Sequence, residues 1–412
     1  MEKAKEARTA TENADELESI KLAVVEAMAH SRTAVIEAQD LNNALAGLIE
    51  GEVQGTGPWT VKVAKTGNEY IISADGNVQN INVVTVESFG DLKTYTGYSA
   101  NKSLKAVKGT GNAQQQIIIP AGFKVTEGNK LEDGIVIKNT TDNNEFVWIP
   151  VGQTLTFFGG ETGSITLGRY DFSTNPISLV QGQTGTEYVD GNTKITYSSK
   201  DYYENLTDSY GNTKAKGGIS AFVNSALTNK GYYIARFEAG IAGDTNNEDI
   251  STTYENRTST STKPLSQKGK SLWTGIKQAD ASTACQNMYS GVNSDLINSY
   301  AWDTALIFIE KCGTSGYASQ SGQSTNTKAP AKTGEGTLKA TNAVDVQCNI
   351  YDMAGNVREW TTESCSYSSD YGTFPCVFRG DGYSITNTAS YRFYNGTSSS
   401  YNSIAFRPTL YM

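Results

Sequence analysis

Residues 351–360 read YDMAGNVREW, and this stretch carries the most specific fold information in the chain. The Gly-Asn-Val step predicts a tight turn that needs a glycine. Trp360 and, further along, Phe406 are predicted to be core aromatics. Four other short motifs, or phrases, accompany this stretch, two before it and two after it. In chain order they are FVWIPVG at 146–152, KGYYIARFEAG at 230–240, FRGDGY at 378–383 and AFRP at 405–408.

The region 117–412 is predicted to form one domain of short strands and amphipathic helices. Apolar runs such as QQIIIPAGFKV and NEFVWIPVG are separated by turn residues, which is typical of strands. Helical periodicity follows in the two segments that begin at Ser271 and Asp295. Residues 160–217 are interpreted as a decorated insertion, and residues 313–343 as a long surface loop.

The first 85 residues have a different pattern. Residues 2–29 are predicted to form one Ala-rich helix, and its apolar residues recur at spacings of three and four at Leu17, Ile20, Val24 and Met28. A short helix capped by Asp40 precedes a hairpin that turns at 66–68. Residues 86–116 show no strong period and are interpreted as a linker or irregular extension. We therefore expect 1–85 and 117–412 to form separate cores.

Charge and histidine content exclude several classes of function. The chain has 412 residues and a net charge of −9, and it has no basic run, which argues against nucleic-acid binding. His30 is the only histidine and is interpreted as a solvated helix residue. Ser-His-Asp and Cys-His catalysis and clusters of His metal ligands are therefore excluded.

The five cysteines show no CxxC motif, so a zinc knuckle or a thioredoxin-type site is not supported. Cys365 and Cys376 flank a Tyr- and Ser-rich loop and could close it as a disulfide. Cys285 is predicted to be a buried helix residue. No stretch of the sequence is apolar enough to span a bilayer, and none has the pattern of a signal peptide.

The N-terminal region resembles the type IV pilin-like proteins of Gram-positive bacteria. A charged, Ala-rich helix such as KAKEARTATENADELESIKLAVVEAMA, followed by a small sheet such as WTVKVAKTGNEYIISADGNV, is the order of that family, and the resemblance covers roughly the first 80 residues. The family's hydrophobic polymerising segment is not seen here. The resemblance implies a cell-surface or extracellular protein that is membrane-anchored or pilus-associated in its full-length form.

Residues 117–412 resemble the formylglycine-generating-enzyme branch of the C-type lectin fold, since the quoted phrases come in that family's order. The implied fold class is α+β, with a pilin-like helix and small antiparallel sheet followed by a C-type lectin fold domain. The family's enzyme carries a reactive cysteine pair in the stretch that corresponds to 385–393. Here that stretch has no cysteine, and Ser390 stands at the nearer position. We therefore expect no enzyme activity.

The same branch contains the variable proteins of diversity-generating retroelements. In those proteins adenine-directed mutation turns AAY codons into NNY codons, which cannot encode Lys, Glu, Gln, Met or Trp. Residues 380–407 contain none of these five types. Between 381 and 403, the residues Tyr, Ser, Asn, Thr and Gly make up 18 of 23, a composition like that of antibody paratopes. The alternative is a solvated polar loop.

These observations predict a variable, ligand-binding face near the C-terminus. Arg392 and Arg407 are expected to brace the fold rather than contact the ligand. The candidate ligand contacts are Asp381, Ser384, Ile385, Tyr391, Phe393, Tyr394, Tyr401 and Ser403.

The lectin-fold resemblance also implies a Ca²⁺ site around the turn of the quoted stretch. Carried over by position, its ligands are the side chains of Asp352 and Glu359 and the carbonyls of Gly355 and Val357. The alternative is that the two carboxylates accept hydrogen bonds from the amides of the turn. No other cofactor is expected, and no catalytic residue is assigned.

The resulting hypothesis is a surface-displayed receptor or adhesin whose C-terminal residues are diversified to vary its binding specificity. Its partner is an unknown protein or surface ligand, with pilus subunits as further candidates. One alternative is a non-variable pilin-like adhesin or minor pilin. Another is an enzyme, either of the formylglycine-generating type or one that uses carboxylates, as a glycosidase does.

Overall fold

The computed structural model of the protein describes a chain of mixed α+β architecture, in which sheets predominate. The described residues are 2–31, 35–55, 57, 59–72, 76, 78–180, 186–190, 193–197, 218–242, 262–323, 329–364, 368–369, 372–373, 376–383, 387–396 and 398–412. Within them the helices are α1 Glu2–His30, α2 Ala38–Ala44, α3 Gly218–Thr228, α4 Gln278–Gln286 and α5 Ser299–Cys312. No helix among these residues has both the length and the apolar character that a bilayer crossing requires.

The N-terminal helices pack on one face of a five-stranded sheet. Its strands, in spatial order, are Trp59–Lys62, Glu69–Ile72, Val78–Thr85, Ser103–Lys108 and Gln115–Ile119. The predicted hairpin is confirmed, because Trp59 pairs with Ile72 and Lys62 with Glu69. The carboxylate of Glu16 on α1 accepts hydrogen bonds from the Tyr70 hydroxyl at 2.7 Å and the Asn68 amide at 2.9 Å. These bonds tie the long helix to the hairpin.

Two details of the N-terminal helices differ from the sequence prediction. The short helix α2 begins at Ala38, and its N-cap residue Glu37 makes no capping bond. Asp40 is therefore not the N-cap. It lies in the first turn, where its carboxylate accepts the Ser31 hydroxyl and is favoured by the helix dipole. On α1, Met28 is 42% exposed, so the buried face runs through Ile20 and Val24 instead.

The interval 86–116 is part of the fold, whereas the sequence predicted a linker or irregular extension. It contains the 3₁₀ helix Phe89–Thr94 and the strand Ser103–Lys108, which pairs in parallel with Val78–Thr85. The strand was missed because lysines interrupt its buried residues and because its partner is not joined to it by a tight turn. The boundary at 117 also moves, since Gln115–Ile119 is the fifth strand of the N-terminal sheet.

The two predicted cores are separate on one face of this sheet only. Trp59 and Tyr70 face α1 and α2 and belong to a small cluster of their own. Ile71 and Leu104 face the other way and lie in the same apolar cluster as Trp148 of the second sheet. The two regions form different sheets, but they share a buried interface.

The second region is built on a six-stranded antiparallel sheet. In spatial order its strands are Asn293–Leu296, Pro408–Tyr411, Gly231–Ala235, Glu145–Pro150, Val136–Asn139 and Phe123–Glu127. Helix α5 packs against this sheet, and the Tyr232 hydroxyl donates to the Ala301 carbonyl at 2.7 Å. The Asn298 side chain caps α5 by accepting the Ala301 amide. Cys285 on α4 is fully buried, as predicted.

A four-stranded sheet carries the C-terminal segment. Its strands, in spatial order, are Arg392–Asn395, Cys376–Arg379, Arg358–Ser364 and Ile404–Phe406, and only the last pair is parallel. Register places Phe393, Phe378, Trp360 and Phe406 in one row across all four strands. Trp360 and Phe406 are fully buried, as predicted.

Short strands complete the architecture among the described residues. Thr186–Asp190 pairs with Thr193–Tyr197. Two-residue strands form local pairs at Leu155–Thr156, Thr162–Gly163, Tyr170–Asp171, Ser178–Leu179, Gly240–Ile241, Ser271–Leu272, Gly322–Gln323, Thr337–Leu338, Val346–Gln347, Ile350–Tyr351, Ser368–Ser369 and Gly372–Thr373. Cys365, which could form a disulfide with Cys376, lies outside the described residues.

Candidate ligand-binding face

A buried ion-pair network holds the C-terminal strands against helix α5. Asp303 of α5 accepts one nitrogen of Arg379 at 2.7 Å and one of Arg392 at 2.9 Å. Arg392 also lies 2.8 Å from the Glu363 carboxylate. All four side chains are fully buried. Since neighbouring strands contribute the two arginines and a helix contributes Asp303, the network fixes the strands in one position.

A second buried polar cluster joins the phrases singled out in the sequence. Both oxygens of Glu359 accept nitrogens of Arg407, at 2.7 and 3.0 Å. Arg407 also donates to the carbonyls of Ala235 and Tyr351. One oxygen of Glu238 accepts the Asn356 side-chain amide at 2.7 Å. Arg392 and Arg407 therefore both brace the fold, as predicted.

This second cluster holds more carboxylates than cations. Burial, followed by the negative charge of Asp345, raises the pKa of Asp352 to about 8. Burial raises the pKa of Asp345 to about 6, although the Tyr317 hydroxyl donates to it. Burial and the charges of Asp352 and Glu359 raise the pKa of Glu238 well above its usual range. These carboxylates are therefore protonated more readily in the folded state than in the unfolded chain.

This cluster predicts that stability falls as pH rises. Between the ordinary pKa of an aspartate and the folded values near 6 and 8, the folded state binds more protons than the unfolded state. The stabilisation is complete below the ordinary value and is lost above pH 8. We expect the Tm to drop by at least about 3 °C between pH 5 and pH 9, with a smaller drop in Asp352→Asn. Thermal melts across this range check it, and a rising Tm in the wild type would contradict it.

The four residues proposed for Ca²⁺ do not offer a vacant ligand set. The Asp352 carboxylate accepts the amides of Gly334 at 2.6 Å and Gly336 at 3.0 Å. Both Glu359 oxygens are used by Arg407, a cation that competes with a metal for the same site. Among the described residues no group of three or more His, Cys, Asp or Glu side chains is arranged to hold a metal ion. The residues around Gly355 and Val357 therefore do not fit Ca²⁺.

Three of the predicted contact residues form one aromatic column. The rings of Tyr391 and Phe393 lie 5.9 Å apart at 10°, and those of Phe393 and Tyr394 lie 4.5 Å apart at 9°. All three side chains are partly exposed. Phe393 rests on buried Phe378 at 5.7 Å, and Phe378 contacts Trp360. The column is thus an exposed extension of the row of core aromatics beneath it.

The other predicted contacts are distributed differently. Tyr401 is 37% exposed, and its carbonyl accepts the Gly275 amide at 3.0 Å. Ser403 is partly buried. Asp381 is fully buried, and its carboxylate accepts the Gly382 amide and lies 3.5 Å from Lys339. Asp381 is therefore part of the scaffold and does not present its carboxylate to a ligand. Ser384 and Ile385 lie outside the described residues.

Sequence reasoning missed two residues of this face. Phe378 is the buried support of the column, and Arg358 stacks on the Phe378 ring with its guanidinium carbon 4.8 Å from the ring centroid. Both lie inside phrases that were interpreted as fold markers only. The sequence offered one signal for Arg358, because it is a charged residue between the turn of the motif and Trp360.

Comparison with known proteins gives structural neighbours only. No family model matches the chain, and no curated protein matches it. A solved structure of PvdO from Pseudomonas aeruginosa is 14% identical, with 68% of this chain and 98% of that chain covered and a TM-score of 0.33. A crystal structure of CarF is 14% identical, with 44% and 87% covered and a TM-score of 0.26. Neither likeness is close enough to carry a conclusion.

Proposed function

We propose that the chain is a surface-displayed ligand-binding protein, a receptor or adhesin, whose C-terminal residues are diversified by a retroelement. The observation that carries this proposal is the partly exposed column of Phe393 and Tyr394, on the strand that buried Arg392 fixes, and Tyr391, directly before that strand. Rigid aromatic rings supply contact area at little entropic cost. A fixed strand lets the outward side chains vary while the backbone keeps its position.

We further propose that residues from about 120 onward form a C-type lectin fold of the formylglycine-generating-enzyme type, with a pilin-like region before it. The support is that three separate phrases of the motif meet in one cluster through Glu238, Asn356 and Arg407. Motif residues that pack together in the core act as a scaffold. This agrees with a family in which surface residues carry the function. The helix on a small sheet supports the pilin-like part.

We propose no enzymatic role. Ser390, at the position of the family's nearer cysteine, is buried, and its carbonyl accepts a nitrogen of Arg379. The carboxylates of the second cluster are buried, and Glu359 and Asp352 are already bonded to protein donors. These contacts are those of structural residues, since a general acid or base needs access to a substrate.

A specific observation also favours the minor-pilin alternative. On α1 the side chains of Leu22, Val25 and Met28 are 71%, 60% and 42% exposed, and they recur every three residues. Such a stripe on a helix would suit packing against a neighbouring subunit. Replacing Leu22 and Val25 with Lys would abolish that assembly while leaving ligand binding through the C-terminal face intact.

A display library tests the ligand-binding proposal. Positions 391, 394, 401 and 403 are randomised with NNY codons, and the matched control library randomises the buried positions 378, 379 and 392. Most members of the first library should fold and keep the wild-type Tm within a few degrees, because exposed substitutions cost little. Selection on unrelated target proteins should recover different binders. If the first library folds as poorly as the control, the face is scaffold and the proposal is wrong.

A further inference from the structure

Arg358 occupies an unusual position beside the aromatic column. It begins the strand Arg358–Ser364, where it pairs with Ile404, and its guanidinium lies over the buried ring of Phe378. Its Nε is sealed from solvent and has no hydrogen-bond partner, while the side chain as a whole is partly exposed. Burial lowers the pKa of Arg358, although the charges of Tyr391 and Asp381 act in the opposite direction.

Four of the buried arginines provide a comparison for this position. Arg236, Arg379, Arg392 and Arg407 each contact at least one carboxylate oxygen within 3.0 Å. Among the described residues Arg358 has no hydrogen bond or ion pair from its side chain. The nearby carboxylate of Asp381 is bonded to the Gly382 amide and lies 3.5 Å from Lys339. Among the described residues Arg358 is therefore a partly exposed cation that is hydrogen-bonded to no carboxylate, and Asp381 acts on it only through its charge.

A partly buried cation that makes no hydrogen bond to a described carboxylate can gain one from a ligand. A guanidinium that is stacked on an aromatic ring and cannot lose its proton is well suited to a carboxylate, which it can bind through two parallel hydrogen bonds. Arg358 also lies outside 380–407, the window without Lys, Glu, Gln, Met or Trp. Diversification of that window would leave this residue constant.

We propose that Arg358 is a constant carboxylate-binding subsite at the base of the variable face, so that the ligands are proteins that present an exposed Asp or Glu side chain. This inference rests on the proposed function and adds the chemical class of the ligand. A protein ligand is favoured because the surrounding composition of Tyr, Ser and Asn is that of a protein-binding paratope. The fixed arginine binds the charge, and the variable side chains select the sequence around it.

Benzoate and neutral benzamide, two matched small probes, test the subsite directly. Each is titrated into arginine-labelled protein while the Nε–Hε NMR signal of Arg358 is followed, with the signal assigned by its loss in Arg358→Met. Benzoate should shift this signal, and benzamide should not. Arg358→Met should bind benzoate at least about tenfold more weakly, and Arg358→Lys should retain part of the binding. Equal shifts with both probes, or none with benzoate, would overturn the proposal.

Peptide selection identifies the class of ligand. Random peptides displayed on phage are selected on the wild-type protein and on Arg358→Met. Wild-type binders should be enriched in Asp and Glu, and exchange of the key Glu for Gln should weaken them at least about tenfold. Binding of sialyllactose in place of acidic peptides would show a glycan ligand and contradict the protein assignment. Peptide binders without acidic residues would refute the subsite and leave the proposed function standing.

Stability separates a binding role from a structural one. If Arg358 serves a ligand, Arg358→Met should melt at the wild-type temperature or above it, because a partly buried cation to which the described residues make no hydrogen bond is removed. A clearly lower Tm would show that the arginine holds the fold through its contact with Phe378.

Discussion

Asp303→Ala is expected to destabilise the second region by about 3–5 kcal/mol, the cost of leaving buried charges without their partner. Arg379 and Arg392 both bind this carboxylate, and the Tyr170 amide donates to it as well. None of these side chains is exposed enough for water to replace the lost contact. A Tm lower by roughly 10 °C should accompany the loss in a unit of this size.

Chemical denaturation of the wild type and the variant measures this loss. Glu50→Gln provides the matched control, since it removes an ion pair with Lys62 in which both side chains are about half exposed. That pair should be worth less than about 1 kcal/mol. Equal effects of the two substitutions would show that the buried network does not hold the C-terminal strands.

The second large effect concerns binding. Replacing Tyr391, Tyr394 and Tyr401 together with Ser should weaken the binding of a peptide selected on the wild-type protein by at least about 100-fold. The reason is that aromatic anchors carry most of the binding energy of an interface. Phe393 is kept, since it rests on Phe378 and contributes to the core. The Tm should fall by only a few degrees.

Phe158→Ser is the matched control for this variant. Phe158 is an aromatic side chain that is 73% exposed and lies in a different part of the chain. Its replacement should leave binding unchanged, as measured by isothermal titration with the same peptide. Retention of full affinity by the triple variant would move the binding site away from the aromatic column.

Local periodicity or a short motif made several features predictable from the sequence. They are the helix Glu2–His30, the first hairpin and the buried positions of Trp360 and Phe406. The strand Ser103–Lys108 could not be predicted, since a parallel partner that is distant in sequence stabilises it and lysines obscure its pattern of apolar residues. Secondary structure that depends on long-range pairing leaves little trace in the local sequence.

The exposure of the residues in the candidate face was predicted in part. Composition singled out Tyr391, Tyr394 and Tyr401, which are partly exposed or exposed in the structure. The same reasoning included Asp381, because a polar residue in a polar loop gives no indication that tertiary contacts bury it. Asp303 offered a better signal that was overlooked, since a carboxylate within the apolar run of α5 indicates a buried ion pair.

Sequencing the encoding locus in a population of cells would reveal a diversified binding face, because diversification leaves a record in the DNA. We expect a near-copy repeat of the segment that encodes residues 380–407, a neighbouring reverse-transcriptase gene, and differences confined to adenines of the repeat. Codons for the outward residues Tyr391, Tyr394 and Tyr401 should vary, and those for buried Arg392 and Arg407 should not. A locus without a repeat, or with substitutions spread evenly over exposed and buried positions, would contradict a diversified binding face.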